Sequence, residues 1–303
     1  MTTAVTTEIS LSLDLPADFR CKDILEFHRR DRLGVAERIQ DGVLEKGIAW
    51  NGLPACLCMR FAGDRAEITL SIDGKGDGLD EGDLLAMAER MLGLTQPTAA
   101  FEAAFGTHLQ LGRLIERQRG LRVALTATPL EALTWAITGQ QISVAAAVAL
   151  RRKLIVAAGL RHSSGLFCYP DAHAIAALSA AELGSAGYSQ AKARTLVTLS
   201  RLADNGELPL NAWLSGVPPV DAIRERLAVI PGIGPWTIHY ALLRGYGWLD
   251  GSLHGDAGVR RSLQGLLAMQ EKITETQAKH WLSPFAPWRA LVAAHLWAYS
   301  AQN

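Results

Sequence analysis

Alternation of apolar and polar residues predicts β-strands in the first third of the chain. Segments with this strand-like pattern are residues 8–15, 54–61 and 66–72. Apolar residues recur with helical spacing in Cys21–His28 and Glu81–Leu92, and such spacing indicates helices with one buried face. The order strand, helix, strands, helix predicts a small α+β domain over residues 1–97, in which helices cover an antiparallel sheet.

From about residue 98 the pattern of the chain becomes helical. Residues 129–158 form the longest helical region, and residues 178–202 read as two helices joined by a glycine-rich turn. The chain is therefore predicted to be α+β but mostly α. We expect the sheet-plus-helix domain to be followed by an all-helical core over residues 98–303.

A polar interruption divides the longest helical region. Gly139, Gln140 and Gln141 break an apolar helix, and Ser143 can cap the helix that restarts after them. This element is either a simple polar turn between two packed helices or a functional projection.

A helix hairpin is predicted over residues 227–245. Pro231 ends one helical run, and Pro235 suits the first position of the next helix. Between them, Gly232 and Gly234 allow the positive φ angles and the close backbone approach that residues with a Cβ resist. The free N–H groups at such a helix start form an anion site, and in a DNA-binding protein the anion is a phosphate.

Composition and charge limit the function classes. With 303 residues, 49% of them hydrophobic, the chain can build one large or two ordinary domains around a real core. Thirty basic and thirty acidic residues give a formal charge of zero. Any contact with DNA must therefore come from local patches and backbone amides.

Cysteine usage and targeting signals indicate a cytoplasmic protein. The four cysteines are scattered, without the spacing of a metal or iron–sulfur site, which suits a reducing compartment. No signal-peptide pattern begins the chain and no apolar run is long enough to span a bilayer. We expect no metal site, no catalytic cofactor, no membrane contact and a monomeric state.

The hairpin and a downstream acid together resemble a known family. Pro231-Gly232-Ile233-Gly234 followed by Asp256 resembles the signature of the helix-hairpin-helix DNA glycosylase superfamily. The layout of residues 1–97 and the closing helix HLWAY are similar to the alkylpurine branch, of 3-methyladenine DNA glycosylase II type. The resemblance implies a base excision repair enzyme that acts on double-stranded DNA with damaged bases.

The resemblance also implies which reaction is catalysed. Bifunctional glycosylase/lyases of this superfamily carry a nucleophilic lysine two residues after the second hairpin glycine. Here that position holds Trp236, and no lysine occurs between Lys192 and Lys272. The enzyme is therefore expected to be monofunctional, to use water and to leave an abasic site.

An aromatic stripe begins at the same tryptophan. Trp236, Tyr240 and Leu243 stand at i, i+4 and i+7 on one helix face, and such a stripe forms either core or pocket. In the resembled family Trp236, Tyr240 and Trp297 match positions that line the base pocket. Aromatic rings there would stack on a flipped, methylated and positively charged purine.

Asp256 is the candidate catalytic residue. It precedes a helical segment and is well suited to an N-cap. A carboxylate fixed at that point can also stabilise an oxocarbenium-like sugar, orient the attacking water, or do both. Arg260 and Arg261 follow in the same helix, and one of them is expected to bind a DNA phosphate or pair with an acid; Arg260 is taken as the candidate DNA contact. For His254 the alternatives are solvent exposure, phosphate binding and assistance to the chemistry.

Further DNA contacts follow from the resemblance. The G-Q-Q-I-S element would face the minor groove, with Gln140 or Gln141 as polar contact or wedge. Lys192 and Arg194 are expected on an ordinary solvated helix face. The hairpin carbonyls could hold a structural monovalent cation, as hairpins of this family can.

Three functional hypotheses follow. The first is a monofunctional glycosylase that removes alkylated purines such as 3-methyladenine. The second is a glycosylase for oxidised or deaminated bases. The third is a non-catalytic hairpin protein that binds damaged DNA.

Overall fold

A computed structural model describes residues 6–75 and 80–300 and confirms the α+β class. Its strands are β1 Thr6–Asp14, β2 Glu37–Gln40, β3 Val43–Trp50, β4 Leu53–Ala62 and β5 Arg65–Asp73. They form one antiparallel sheet of order β1-β5-β4-β3-β2. Helices α1 Cys21–His28 and α2 Glu81–Leu92 pack on the sheet and have the predicted bounds.

Strands β2 and β3 were not predicted, and a buried charge explains why. Lys46 lies in the middle of β3 and is fully buried. A lysine at an inward position breaks the apolar alternation by which a strand is recognised. Its charge is tolerated because the carboxylates of Glu37 in β2 and of Glu131 bind its ammonium group. Glu131 belongs to the helical half of the chain, which begins at about residue 98.

The second half is helical, as predicted. Its helices are α3 Thr98–Phe105, α4 Leu111–Arg117, α5 Pro129–Gly139, α6 Val144–Ala158, α7 Ala172–Ala176, α8 Ala180–Ser185, α9 Gln190–Asp204, α10 Val220–Ala228, α11 Pro235–Tyr246, α12 Ala257–Leu266, α13 Glu275–Leu282 and α14 Arg289–Ser300. The break after Gly139 is confirmed, and the Ser143 side chain caps α6 by accepting from the Ala146 N–H.

Two hydrophobic clusters make up this helical half. The first contains side chains of α3, α4, α12, α13 and α14, and the second contains side chains of α6 to α10. The central helices α5 and α11 contribute to both clusters. Ala136 and Tyr240 belong to the first, whereas Leu133 and Leu242 belong to the second. Residues on these two helices can therefore line any gap between the clusters.

The sheet and the helical half are joined by backbone contacts. The Tyr169 N–H donates to the Gly47 carbonyl, and the Ala49 N–H donates to the Tyr169 carbonyl. A Cβ at Gly47 would lie 2.2 Å from the Phe167 carbonyl oxygen, so only glycine fits there. A division of the chain after residue 97 remains a proposal, and α3, which begins at Thr98, packs in the first helical cluster.

None of the helices in residues 6–75 and 80–300 combines the length and apolar character needed to cross a membrane.

Candidate functional site

The predicted hairpin is present between α10 and α11, and its two glycines differ. Gly232 has a φ of +90°, and a Cβ there would lie 2.2 Å from Thr195 Oγ1. Gly234 has a φ of −98° and is the N-cap of α11. Of the two glycines only Gly232 uses the positive φ that glycine allows, because Gly234, as an N-cap residue, takes an extended conformation. Pro235 is the first residue of α11, as predicted.

Side chains from the turn after α5 and from α9 hold the hairpin in place. Gln140 Nε2 donates to the Gly232 carbonyl at 2.9 Å and to Thr237 Oγ1 at 3.0 Å. Thr195 Oγ1 donates to the Pro231 carbonyl at 2.9 Å. The turn between α5 and α6 is thus attached to the hairpin directly. A monovalent cation at these carbonyls stays a prediction.

Lys192 is not the solvated residue that the sequence predicted. Its Nζ donates to the Thr138 carbonyl at 2.8 Å and to the Gln140 carbonyl at 2.7 Å, at the end of α5. An ammonium group suits this place because the last carbonyls of a helix lack partners within the helix. Partial burial lowers the pKa of Lys192. Arg194, by contrast, is exposed, as expected.

The tip of the same turn projects outward. Gln141 is exposed and has a φ of +57°. Next to it, the side chains of Ile142 and Val144 are 37% and 66% exposed. The two predicted DNA-facing glutamines therefore differ. Gln140 is bound to the hairpin, whereas Gln141 stands at the surface with apolar neighbours.

Asp256 accepts three hydrogen bonds. As predicted, it caps α12, with Oδ1 accepting from the Val259 N–H at 2.9 Å. Trp297 Nε1 also donates to Oδ1 at 3.0 Å, and Trp236 Nε1 donates to Oδ2 at 3.0 Å. Among the described residues no Lys, Arg or His side chain lies within ion-pair distance of this carboxylate. Its orientation is thus fixed by neutral donors alone.

The three predicted aromatic residues stand together beside this carboxylate. The ring centroids of Trp236 and Tyr240 are 5.3 Å apart, and those of Tyr240 and Trp297 are 6.3 Å apart. Tyr240 is almost fully buried, and both tryptophans are half-buried. The sequence indicated rings that would stack on a ligand. It did not indicate that the two indole N–H groups bind the acid.

These residues line a cleft of about 850 Å³ between the two helical clusters. Its walls come from the α5–α6 turn, α11, the start of α12 and α14. The residues that the sequence predicted and the structure brings to this cleft are Gln140, Gln141, Trp236, Tyr240, Asp256 and Trp297. A cleft of this size with an aromatic wall and few polar groups is typical of a ligand site.

The lining residues that the sequence did not indicate include Arg30, Trp135 and Arg244. Arg244 follows Trp236 by eight residues and Tyr240 by four, so helical spacing alone could have placed it on the same face. Burial lowers its pKa to about 10. Arg30 comes from the sheet domain, and nothing local in the sequence connects it with the cleft.

The two arginines after Asp256 point to different places. Arg261 lines the cleft. The Arg260 guanidinium lies 3.9 Å from the carboxylate of Glu275, and its Nε is buried without a partner among the described residues. Phosphate binding by Arg260 stays a prediction, and the cleft lining does not include it.

The loop between α11 and α12 is held from both sides. His239 Nδ1 lies 2.9 Å from the Ser252 carbonyl, and burial lowers the pKa of this imidazole. His254 is half-buried, with Nδ1 2.9 Å from Ser252 Oγ. Arg289 donates to both oxygens of Asp250 at 2.7 and 2.8 Å. These contacts fix the conformation of the loop that ends at Asp256 and thereby the position of that residue.

Comparison with known proteins gives one family match. A family model described as HhH-GPD superfamily base excision DNA repair protein matches residues 134–287. That range includes the turn between α5 and α6, the hairpin and Asp256.

Curated relatives are similar over much of the chain. The chain is 25% identical to a Mycobacterium tuberculosis protein named "Probable bifunctional transcriptional activator/DNA repair enzyme AlkA", over 97% of this chain and 58% of that protein. It is 30% identical to DNA-3-methyladenine glycosylase 2 of Escherichia coli, over 62% of this chain and 63% of that protein. The chain thus spans about three fifths of the length of these relatives.

Solved structures share the fold. A 3-methyladenine DNA-glycosylase from Archaeoglobus fulgidus superposes with a TM-score of 0.79 at 20% identity, over 96% of this chain and 98% of that chain. An 8-oxoguanine glycosylase/lyase from Clostridium acetobutylicum in complex with double-stranded DNA gives a TM-score of 0.73 at 15% identity, over 100% of this chain and 99% of that chain.

Proposed function

Because the chain belongs to the HhH-GPD superfamily of base excision DNA repair proteins, we propose that it is a monofunctional DNA glycosylase that removes alkylated purines. The observation that carries the proposal is the Asp256 carboxylate, held by two indole N–H groups and a helix N–H at the cleft. The names of two relatives support the substrate class, since both are called DNA-3-methyladenine glycosylase.

In the proposed reaction the damaged nucleotide turns out of the duplex into the cleft, because its glycosidic bond cannot be reached in the stack. As the bond from C1′ to the base breaks, its electron pair leaves with the base and C1′ becomes positive. Asp256 provides a fixed negative charge beside C1′. Water then adds to C1′ and gives a proton to Asp256, which leaves a free base and an abasic sugar.

One carboxylate suffices for an alkylated purine. Its nucleoside is already cationic, so the base departs as a neutral molecule without an added acid. Trp236, Tyr240 and Trp297 supply the aromatic surface on which a flat base stacks. In this proposal Trp236 and Trp297 therefore both stack on the base and position Asp256.

The proposal includes double-stranded DNA as partner. The N–H groups at the start of α11, beside Gly232 and Gly234, would bind a phosphate. Gln141 would fill the space left by the flipped nucleotide, and Gln140 would hold the turn that carries it. Arg260 would contact a second phosphate.

A panel of damaged duplexes tests the proposed function. Duplexes with methylated, oxidised and hypoxanthine bases are incubated with the protein and with Asp256→Asn, and free bases are measured. We expect the wild type to release methylated purines and the folded variant to lose about a hundred- to a thousandfold in rate, as the loss of one group that stabilises developing charge implies. Release only of oxidised or deaminated bases would favour that class instead. Binding to damaged DNA with no release of any base would favour a non-catalytic protein.

The absence of lyase activity is tested separately. The side chain of Trp236 cannot form a Schiff base, and Lys192, the nearest preceding lysine in sequence, is engaged with carbonyls of α5. Borohydride reduction during the reaction should therefore trap no covalent protein–DNA adduct. A trapped adduct would contradict the monofunctional assignment.

A monomer acting in the cytoplasm is part of the same proposal. Light scattering of the free protein tests the monomeric state.

A further inference from the structure

Two guanidinium groups lie in the cleft without a carboxylate partner. Neither Arg30 nor Arg244 has an acidic oxygen within 4 Å among the described residues. Arg244 lies one helical turn beyond Tyr240 and two turns beyond Trp236, so it stands deep in the cleft, away from the end of α11 that faces Asp256. Arg30 reaches the same cleft from the sheet domain, just after α1.

Aromatic rings hold both guanidinium groups. The Arg30 Cζ lies 4.4 Å from the Phe27 ring centroid and 5.4 Å from that of Trp135. The Arg244 Cζ lies 4.6 Å from the Phe27 centroid and 5.3 Å from that of Trp297. Stacking on rings satisfies the faces of a guanidinium group but leaves the N–H groups in its plane free to donate.

The donors of this pair are only partly used. Arg244 donates to the Ala124 carbonyl at 2.7 Å and also interacts with the side chain of Tyr240, while its Nε is buried without a partner among the described residues. Within the same part of the chain Arg30 makes no hydrogen bond or ion pair. Burial lowers the pKa of Arg244 to about 10; the Tyr240 side chain opposes this shift, and the charge of nearby Arg30 adds to it. The end of the cleft beside Arg30 and Arg244 therefore holds more hydrogen-bond donors than acceptors.

We infer that Arg30 and Arg244 form a subsite for a hydrogen-bond acceptor at C6 of the flipped purine, so that 6-oxopurines are preferred to 6-aminopurines. The inference rests on the proposed glycosylase function. A base stacked beside Trp236 and Tyr240 presents the edge opposite its glycosidic bond to the deep end of the cleft. A carbonyl oxygen at that edge accepts a hydrogen bond from a guanidinium group. An amino group there would place its N–H donors opposite the N–H donors of the guanidinium group.

The subsite also has a consequence for neutral bases. A neutral base takes the electron pair of the broken bond and leaves as an anion. A guanidinium group that donates to its carbonyl stabilises this negative charge as it develops. The Arg30–Arg244 subsite thus extends the reaction to neutral 6-oxopurines, for which one carboxylate at the sugar does not suffice.

The test uses one substrate that contains both kinds of base. DNA treated with a methylating agent carries 7-methylguanine, with a carbonyl at C6, and 3-methyladenine, with an amino group there. Both nucleosides carry one positive charge, and their different methyl positions are the same for wild type and variant, so a change in the ratio of the two released bases on replacing Arg30 reports on contacts with the base rather than on charge. Arg30→Met is the variant of choice, because Arg30 is exposed whereas Arg244 is buried and also binds a backbone carbonyl.

We expect Arg30→Met to lower the ratio of released 7-methylguanine to 3-methyladenine about tenfold, as the loss of one charge-assisted hydrogen bond implies. Release of hypoxanthine from a defined duplex should fall by a similar factor. Arg32→Met is the matched control, since Arg32 is exposed two residues further on and does not line the cleft. It should leave the ratio unchanged.

Other outcomes separate the possible failures. Release of both bases with the same ratio in wild type and Arg30→Met would overturn the subsite and leave the proposed function intact. A uniform loss of affinity for all duplexes, with a weaker salt dependence, would instead identify Arg30 as a phosphate contact and also overturn the subsite. No release of any base by the wild type would contradict the proposed function itself.

Discussion

Asp256 obtains its geometry from residues on three different helices. Its N-cap bond to Val259 belongs to α12, whereas the indole donors Trp236 and Trp297 belong to α11 and α14. A Cβ at Gly258 would lie 3.1 Å from Asp256 Oδ1 and 3.5 Å from Trp297. The small residue at that position lets the indole ring approach the acid. The carboxylate is therefore held in one orientation without a counter-charge of its own.

Replacing either indole by a phenyl ring tests the positioning role. Trp236→Phe and Trp297→Phe keep an aromatic surface but remove one N–H donor to Asp256. We expect each to lower kcat for base release about tenfold or more, since hydrogen bonds to charged groups contribute about 1.5–3 kcal/mol. Single-turnover rates and KM are measured on methylated DNA.

Trp248→Phe is the control, because Trp248 lies outside the cleft and packs in the second helical cluster. It should leave kcat unchanged. A rise in KM with unaltered kcat in the two test variants would mean that the indoles bind the base and do not position the acid.

His295 determines part of the pH dependence of stability. It is buried in α14 with Nδ1 2.7 Å from the Gln118 side-chain amide, and burial lowers its pKa to about 3. The folded state therefore binds no proton at His295 between about pH 6.5 and 3, whereas the unfolded state does. The free energy of unfolding therefore falls at His295 as the pH drops from about 6.5 towards 3, because the unfolded state gains a proton that the folded state does not bind.

His295→Gln should weaken this acid sensitivity. One such histidine changes the free energy of unfolding by about 1.4 kcal/mol per pH unit within the window. Urea unfolding at pH 6, 5 and 4 should show a slope that is shallower in the variant by about this amount. His28, whose pKa is also lowered by burial, stays in place and retains its own contribution. Equal slopes in the two proteins would refute this assignment.

At the scale of elements, the hairpin and the turn between α5 and α6 act as one unit. The Gln140 side chain donates to the Gly232 carbonyl, and the Thr195 side chain donates to the carbonyl of the preceding Pro231. The Lys192 ammonium group binds the carbonyls at the end of α5. The exposed Gln141 at the tip is thus positioned relative to the start of α11. A wedge and a phosphate site need such a fixed spacing if both are to engage one duplex.

The two hairpin glycines make a matched test of this unit. Gly232→Ala places a Cβ at a φ of +90° and against Thr195 Oγ1, so we expect a loss of about 2 kcal/mol or more in stability and weaker DNA binding. Gly234→Ala has an ordinary φ and meets nothing within 4 Å, so its cost should stay below about 1 kcal/mol. Melting temperature and duplex affinity are the measurements. Equal losses in the two variants would contradict the geometry.

At the scale of the whole molecule, a buried ionic cluster joins the sheet to the helical half. Lys46 Nζ lies 2.5 Å from Glu37 and 2.7 Å from Glu131, and Arg151 bridges the same two carboxylates. Burial alone would raise the pKa of Glu37, but Arg151 and Lys46 hold it well below its usual range. The cluster balances its charges only when both halves of the chain are in place.

Removing the lysine should destabilise the whole molecule. Lys46→Met leaves two buried carboxylates with one arginine, and breaking a buried pair in this way costs about 3–5 kcal/mol. Arg38→Met, which removes an exposed pair with Glu45 on the same sheet, should cost less than about 1 kcal/mol. Urea unfolding measures both. If Lys46→Met lowered the free energy of unfolding no more than Arg38→Met does, the ionic cluster would not join the two halves.

The sequence by itself determined the local features of this protein. The bounds of α1 and α2, the break before α6, the hairpin and the cap at Asp256 depend on contacts between residues a few positions apart. Periodicity and capping preferences record such contacts in the chain itself. Three aromatic residues of the cleft, Trp236, Tyr240 and Trp297, were also recognised, through spacing along α11 and through resemblance, whereas Trp135 was not.

Only the tertiary structure decided how these elements meet. Strand β3 was hidden because Lys46 needs partners from elsewhere in the fold before it can be buried. Arg30 reaches the cleft from the sheet domain, and Lys192 reaches the end of α5 from α9. Buried charge and long-range hydrogen bonds are stable only when distant segments are packed together. The pairing of Asp256 with two indole N–H groups is such a contact, and no local pattern in the sequence encodes it.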